Sequence, residues 1–239
     1  MHPIMGELLE LLKSGGIVMV VTKSVILLGS MAALVIGIER WLFLRGFVNK
    51  AKELHEAIVR ALLRGEPTIA IHECDRAHVA TAALYRSAFD RASRPDRIAD
   101  AVDRSRREVI QALRSPLWVL GTLGAVMPFV GLFGTVVGIL GSFRQMGTNG
   151  AGGFAVVAPA ISEALITTAG GIAVAVEAVV LFNIFQARIA REAFDLTLRA
   201  DELVEVVTDH AQEIAAVVQP QRPAQPAAAP AQVTASGHA

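Results

Sequence analysis

The chain has 239 residues, of which 53% are hydrophobic and 18% charged, with zero formal net charge and a mean hydropathy of +0.50. A charged fraction this far below the quarter usual in soluble domains argues against a soluble globular protein and for a membrane protein. The single cysteine, Cys74, excludes an internal disulfide, and no nucleic-acid partner is expected.

From the N-terminus, "MHPIMGELLELLK" is acidic and lacks a basic region followed by a small-residue cleavage site, so no cleaved signal peptide is expected. Residues 1–21 read as an extracytoplasmic segment and 22–44 as a first membrane span. Within that span "SVILLGSMAALVIGI" is uncharged but short, so Lys23 has to snorkel at one end while Glu39 and Arg40 sit near the other.

Residues 45–114 form a basic helical loop. Apolar residues recur at helical intervals in "KELHEAIVRALL"; Gly65, Glu66 and Pro67 break the pattern, and "HVATAALYRSAFDRA" resumes it until "SRPD". Asp96 is placed to cap a helix through "RIADAVDRSRREVIQAL". Fifteen Lys or Arg lie between Glu39 and Ser115, against Arg144 alone in the later connection, which puts this loop in the cytoplasm and the N-terminus outside it. "HECDRAH" brings together His72, Cys74 and His78, residue types that bind zinc. The two histidines are six apart, do not share a helix face, and have no second cluster to complete a tetrahedral site, so no metal or other cofactor is expected. No GxxxxGK is present, and no Ser, His and acid set or carboxylate pair is expected in a soluble pocket, which argues against an ATPase or hydrolase.

Residues 115–143 are uncharged throughout and exceed the roughly 20 residues that cross a hydrocarbon core about 30 Å thick. Wound as a helix, Gly131, Gly134, Thr135, Gly138, Gly141 and Ser142 share about a third of the circumference. In lipid such a small face lets helix backbones approach closely, so it either packs a helix pair or lines a pore; spacing alone does not separate the two.

After an extracytoplasmic loop at 144–155, residues 156–187 form a third span interrupted by Glu163 and Glu177. Glu163, Thr167, Gly170, Val174 and Glu177 fall along one stripe, with Thr168 well round from it. Counted inward from the loop, Thr135 lies about 12 Å and Thr168 about 18 Å along their helices, so the two hydroxyls can sit at similar depth. For Glu163 the plain alternative is an interface residue facing water. A lipid-facing Glu177 would cost several kcal/mol, so it is expected neutral or paired with a base. Residues 188–218 continue as an amphipathic cytoplasmic helix, and 219–239, "PQRPAQPAAAPAQVTASGHA" with Gln219 before it, read as a disordered tail.

"PFVGLFGTVVGILGSF" followed by "VVAPAISEALITTAGGIAVAVEAVVLFNIF" resembles the paired helices of the ExbB/TolQ/MotA proton-channel family, nearest to ExbB and TolQ, and "TKSVILLGSMAALVIGIERW" resembles its first span. The resemblance implies an all-α membrane protein with three transmembrane helices, the second and third extended into a cytoplasmic helical bundle. It further implies a homopentamer around two single-span ExbD/TolR-like subunits whose membrane aspartate is protonated in turn, in contact with membrane lipid. On this reading Thr135, Thr168 and Glu163 line the proton path, Thr167 and Glu177 are further pore or contact residues, and Gly131, Gly134, Gly138 and Gly141 pack the helices. Glu177 stands where the family usually has proline, which predicts a straighter helix.

The function so implied is a stator subunit in the bacterial inner membrane, with H+ as the transported ion. It would drive a TonB/TolA-like or motility protein, since one charge crossing 100 mV releases about 2.3 kcal/mol. The rivals are a scaffold whose small-residue helices only pack, and a self-contained channel, for which internal repeats or broken helices would be expected.

Overall fold

The computed structural model describes residues 16–149 and 154–218, so the N-terminal segment before residue 16, positions 150–153 of the second connection and the expected disordered tail from 219 lie outside the described residues. Every regular element among the described residues is helical. Among the described residues three helices are long and apolar enough to cross a membrane, each with a window of mean hydropathy 2.1.

The first helix, α1 (Gly16–Leu63), carries the first span and "KELHEAIVRALL" as one uninterrupted element. It stops at Gly65, whose φ of 72° suits a residue without Cβ; Gly65 N–H bonds Leu62 O at 2.9 Å and Glu66 N–H bonds Ala61 O at 3.0 Å, closing the last turn. Pro67, whose missing N–H is harmless in a first turn, opens α2 (Pro67–Arg76), a helix absent from the periodicity reading. The helix expected to resume at His78 instead starts later, as α3 (Ala82–Phe89), because the backbone turns extended at Ala77 after α2. Asp96 does not cap α4 (Ile98–Arg114): it lies within a single 3-10 turn, Pro95–Arg97, set by the fixed φ of Pro95.

Ser115 and Pro116 form a turn between α4 and α5 (Leu117–Asn149), so the helix leading to the second span is interrupted; proline supplies no N–H and disfavours helical backbone in the residue before it. By contrast α6 (Phe154–Asp209) runs unbroken through the third span and beyond, and α7 (Ala211–Val218) follows. Prolines 128 and 159 sit inside α5 and α6, as membrane helices tolerate when neighbours re-satisfy the freed carbonyls.

The chain forms two compact units whose division falls within α1, α4 and α6. One contains the described residues of Met1–Lys52 and Arg107–Leu198. Its interior is thin, Ile26, Met127, Val174 and Ala175 forming a buried cluster, while Leu27, Phe129 and Ile166 stand outward. Helices apolar on their outer faces suit lipid, where only small or polar inner faces need a protein partner. The other unit contains the described residues of Glu53–Arg106 and Arg199–Ala239, around a water-excluding core that includes Ile58, Leu84, Tyr85, Ile98, Leu203 and Ile214.

Candidate functional site

The small face of α5 is filled from within the chain. A Cβ on Gly131 would come within 3.0 Å of Thr168 Cα and 3.1 Å of its carbonyl oxygen, and one on Gly171 within 2.7 Å of Met127 O and 2.9 Å of Gly131 Cα. Backbone meets backbone here, which no larger residue allows. Along the same face Gly134 abuts the methyls of Thr167 and Thr22, and Gly138 abuts Met19 and Ala164, so both α1 and α6 close over it. Gly141 is half-buried one turn further on. The close approach on α6 is made by Gly171; Gly170, on the expected stripe, meets only Ile26 Cγ2 at 3.7 Å.

That approach brings the two threonines together. Thr168 Oγ1 donates to the carbonyl oxygen of Gly131 at 2.9 Å and lies 3.3 Å from Thr135 Oγ1, whose own proton goes to Leu132 O at 2.7 Å. The contact thus places a hydroxyl pair between the second and third apolar helices, with no charged residue in α5 between 117 and 143. Hydroxyls of this kind can pass or accept a proton-linked hydrogen bond, but they supply no group that holds a charge.

The polar stripe of α6 faces α1. Glu163 forms an ion pair with Lys23, Thr167 is buried and donates to Glu163 O at 3.0 Å, and Ser30 donates to Glu177 Oε2 at 3.1 Å. Glu177 Oε1 is buried and meets no hydrogen-bonding partner among the described residues. Glu163 and Glu177 therefore belong to the contact between first and third spans, whereas Thr135 and Thr168 form the contact between second and third. The split is visible in the sequence, where Thr168 stands off the stripe, but nothing there points to Lys23 or Ser30 as partners.

In the other unit, His55 is buried between Tyr85 Oη and Glu202 Oε2, each 3.0 Å from a ring nitrogen. Burial holds the Tyr85 phenol well above its ordinary range. Cys74 is buried and donates to Ala82 O, and burial, opposed by Arg86, pushes its thiol up to about 11. His72 and His78 stay exposed, so "HECDRAH" does not converge on one point.

Known proteins resemble part of this chain. A family model described as the MotA/TolQ/ExbB proton channel family matches residues 72–197. The chain is 41% identical over 117 residues to the Tol-Pal system protein TolQ of Pseudomonas aeruginosa, covering 44% of this chain and 51% of that protein. It is 43% identical over 95 residues to the biopolymer transport protein ExbB of Pseudomonas putida, covering 40% and 29%. A putative biopolymer transport protein ExbB-like 1 of Helicobacter pylori is 38% identical over 103 residues, covering 43% and 52%. The chain thus matches about half or less of the length of each of these relatives.

Proposed function

We propose, from the premise that this chain belongs to the MotA/TolQ/ExbB proton channel family, that it is the ring-forming subunit of an inner-membrane proton motor. The family's members are transport subunits and not enzymes, and with three spanning helices this one is a multi-pass protein of the bacterial inner membrane. The observation that carries the reading is the Thr135–Thr168 hydroxyl pair, held where the glycine face lets α5 and α6 touch backbone to backbone.

The mechanism follows from what the pair lacks. Two hydroxyls can complete the hydrogen bonds of a protonated acid and release them when it ionises, but they cannot hold the charge. The titrating group comes from another chain: an ExbD/TolR-like single-span subunit whose membrane carboxyl faces the pair. Five copies of this chain around two such subunits give the hydroxyl pairs a closed ring, with each protonation biasing one of two positions of the inner helices. Glu163 and Lys23 mark the outer mouth of the path. The basic loop, the second compact unit and the C-terminus lie in the cytoplasm, and the N-terminus faces the periplasm. Relatives named for the Tol-Pal system and for biopolymer transport support work on an envelope-spanning TolA- or TonB-type protein over a gliding machine.

Co-purification from the native membrane with a subunit count by native mass spectrometry tests this. Five copies with two smaller single-span chains bearing a membrane carboxylate are expected. A stable ring or monomer that never carries such a chain contradicts the reading.

A further inference from the structure

At the end of the apolar run of α1, Leu44, Arg45, Val48 and Asn49 face Arg188, Arg191 and Glu192 of α6 across a cleft of about 530 Å3. Leu44 is buried and Val48 half-buried, so the floor is apolar; the three arginines are exposed. Arg188 and Arg191 have no acidic partner among the described residues, and the Arg45 guanidinium lies 3.8 Å from the centre of the Trp41 ring. One carboxylate, Glu192, stands against three guanidiniums, and it has an interaction of its own.

The level of the cleft is fixed by sequence. Arg188 is the first charged residue of α6 after Glu177, and Arg45 follows the uncharged "WLFL" of α1. A Trp stacked under an Arg at the end of a span is the side-chain chemistry of a membrane's headgroup layer. Above the cleft the same helices present exposed Leu42, Phe43 and Ile184, apolar surface on which acyl chains can lie. A phosphate reaching the cleft would meet forked donors from both helices and an amide from Asn49, which suits guanidinium better than ammonium.

We infer that this cleft is a binding site for the phosphate headgroup of an anionic glycerophospholipid, held by Arg45, Arg188 and Arg191 with its acyl chains along α1 and α6. The inference rests on the spanning reading of α1 and α6 given above, and the positive-inside arrangement assigns the site to the cytoplasmic leaflet. A bound lipid there ties the first span to the third at their inner ends, and so links the motor's rigidity to the anionic lipid of its membrane.

The test uses the purified full chain with its co-purifying subunits, in nanodiscs of phosphatidylcholine alone or with phosphatidylglycerol, and lipid retention is read by native mass spectrometry. Retention of phosphatidylglycerol over phosphatidylcholine is expected in the wild type. Loss of two interfacial charges in Arg188→Gln/Arg191→Gln is expected to weaken retention about thirtyfold. Equal retention of the two lipids by the wild type overturns the site, and that comparison decides alone should the double variant fail to assemble. Undiminished retention in the variant also overturns it. Displacement of the lipid by millimolar inorganic phosphate would assign a soluble anion instead and equally overturn it. Proton flux is not read here, so a negative result leaves the proposed motor function to its own measurement.

Discussion

Thr168 donates its hydroxyl to the carbonyl oxygen of Gly131 at 2.9 Å, where Gly131 and Gly171 bring the second and third spans backbone to backbone. The bond exists because Gly131 and Gly171 both lack Cβ atoms: their approach exposes a helical carbonyl to a side chain of the neighbouring helix. The same approach sets Thr135 within 3.3 Å. Packing and polar chemistry are therefore two results of one glycine contact.

Gly131→Ala and Gly171→Ala push new methyls against backbone atoms, which cannot rotate away. Each is expected to destabilise the assembled protein by about 1 to 3 kcal/mol, measured by thermal or denaturant unfolding in detergent. Gly170→Ala, which meets one flexible methyl at 3.7 Å, is the matched control and is expected to be neutral.

Ser30→Ala leaves the Glu177 carboxyl without a hydrogen-bond partner among the described residues, and is expected to cost about 1 to 2 kcal/mol. Replacing both partners, Ser30→Ala with Glu177→Leu, is expected to recover most of that loss, because two apolar groups leave nothing unsatisfied. Additive losses in the double variant would show that the two residues do not interact.

The Lys23–Glu163 pair is 43% and 55% exposed, so screening limits its worth. Lys23→Gln is expected to change stability by no more than about 1 kcal/mol. If Glu163 marks the outer mouth, the same substitution alters proton flux and its salt dependence far more than it alters unfolding. Flux insensitive to both salt and the substitution would remove the pair from the path.

Cys74 titrates near 11 against an ordinary value of 9.0. Its raised value means the folded state keeps the proton longer than the unfolded chain does. The contribution to stability is therefore complete below about pH 9 and is lost as the pH rises through about 11. At pH 8 alkylation of the native protein is expected to be many-fold slower than of the denatured chain. Equal rates would place the thiol outside the core.

Much of the layout was legible in the sequence. Three spans, the glycine face and the polar stripe of the third span follow from uncharged length and helical period alone, both of which are local properties. What faced each side chain was not legible, because helix pairing joins residues far apart in sequence: Lys23 with Glu163, Ser30 with Glu177. Gly170 and Gly171 are adjacent, and only the crossing of α5 decides which of them must be bare. The missed helix α2 has a similar cause. Pro67 breaks the apolar periodicity, yet at a first turn proline begins a helix as readily as it ends one.

The central claim is that protons move past a hydroxyl pair offered to a carboxyl on another chain. Its most direct test is proton flux through the complete complex in liposomes, wild type against Thr135→Val/Thr168→Val, with subunit composition measured on the same sample. The account predicts unchanged subunit composition, at a cost in stability because a valine methyl in place of the Thr168 hydroxyl loses its 2.9 Å bond to Gly131 O, with flux reduced by roughly tenfold or more. A complex that assembles and conducts at the wild-type rate without either hydroxyl would contradict it.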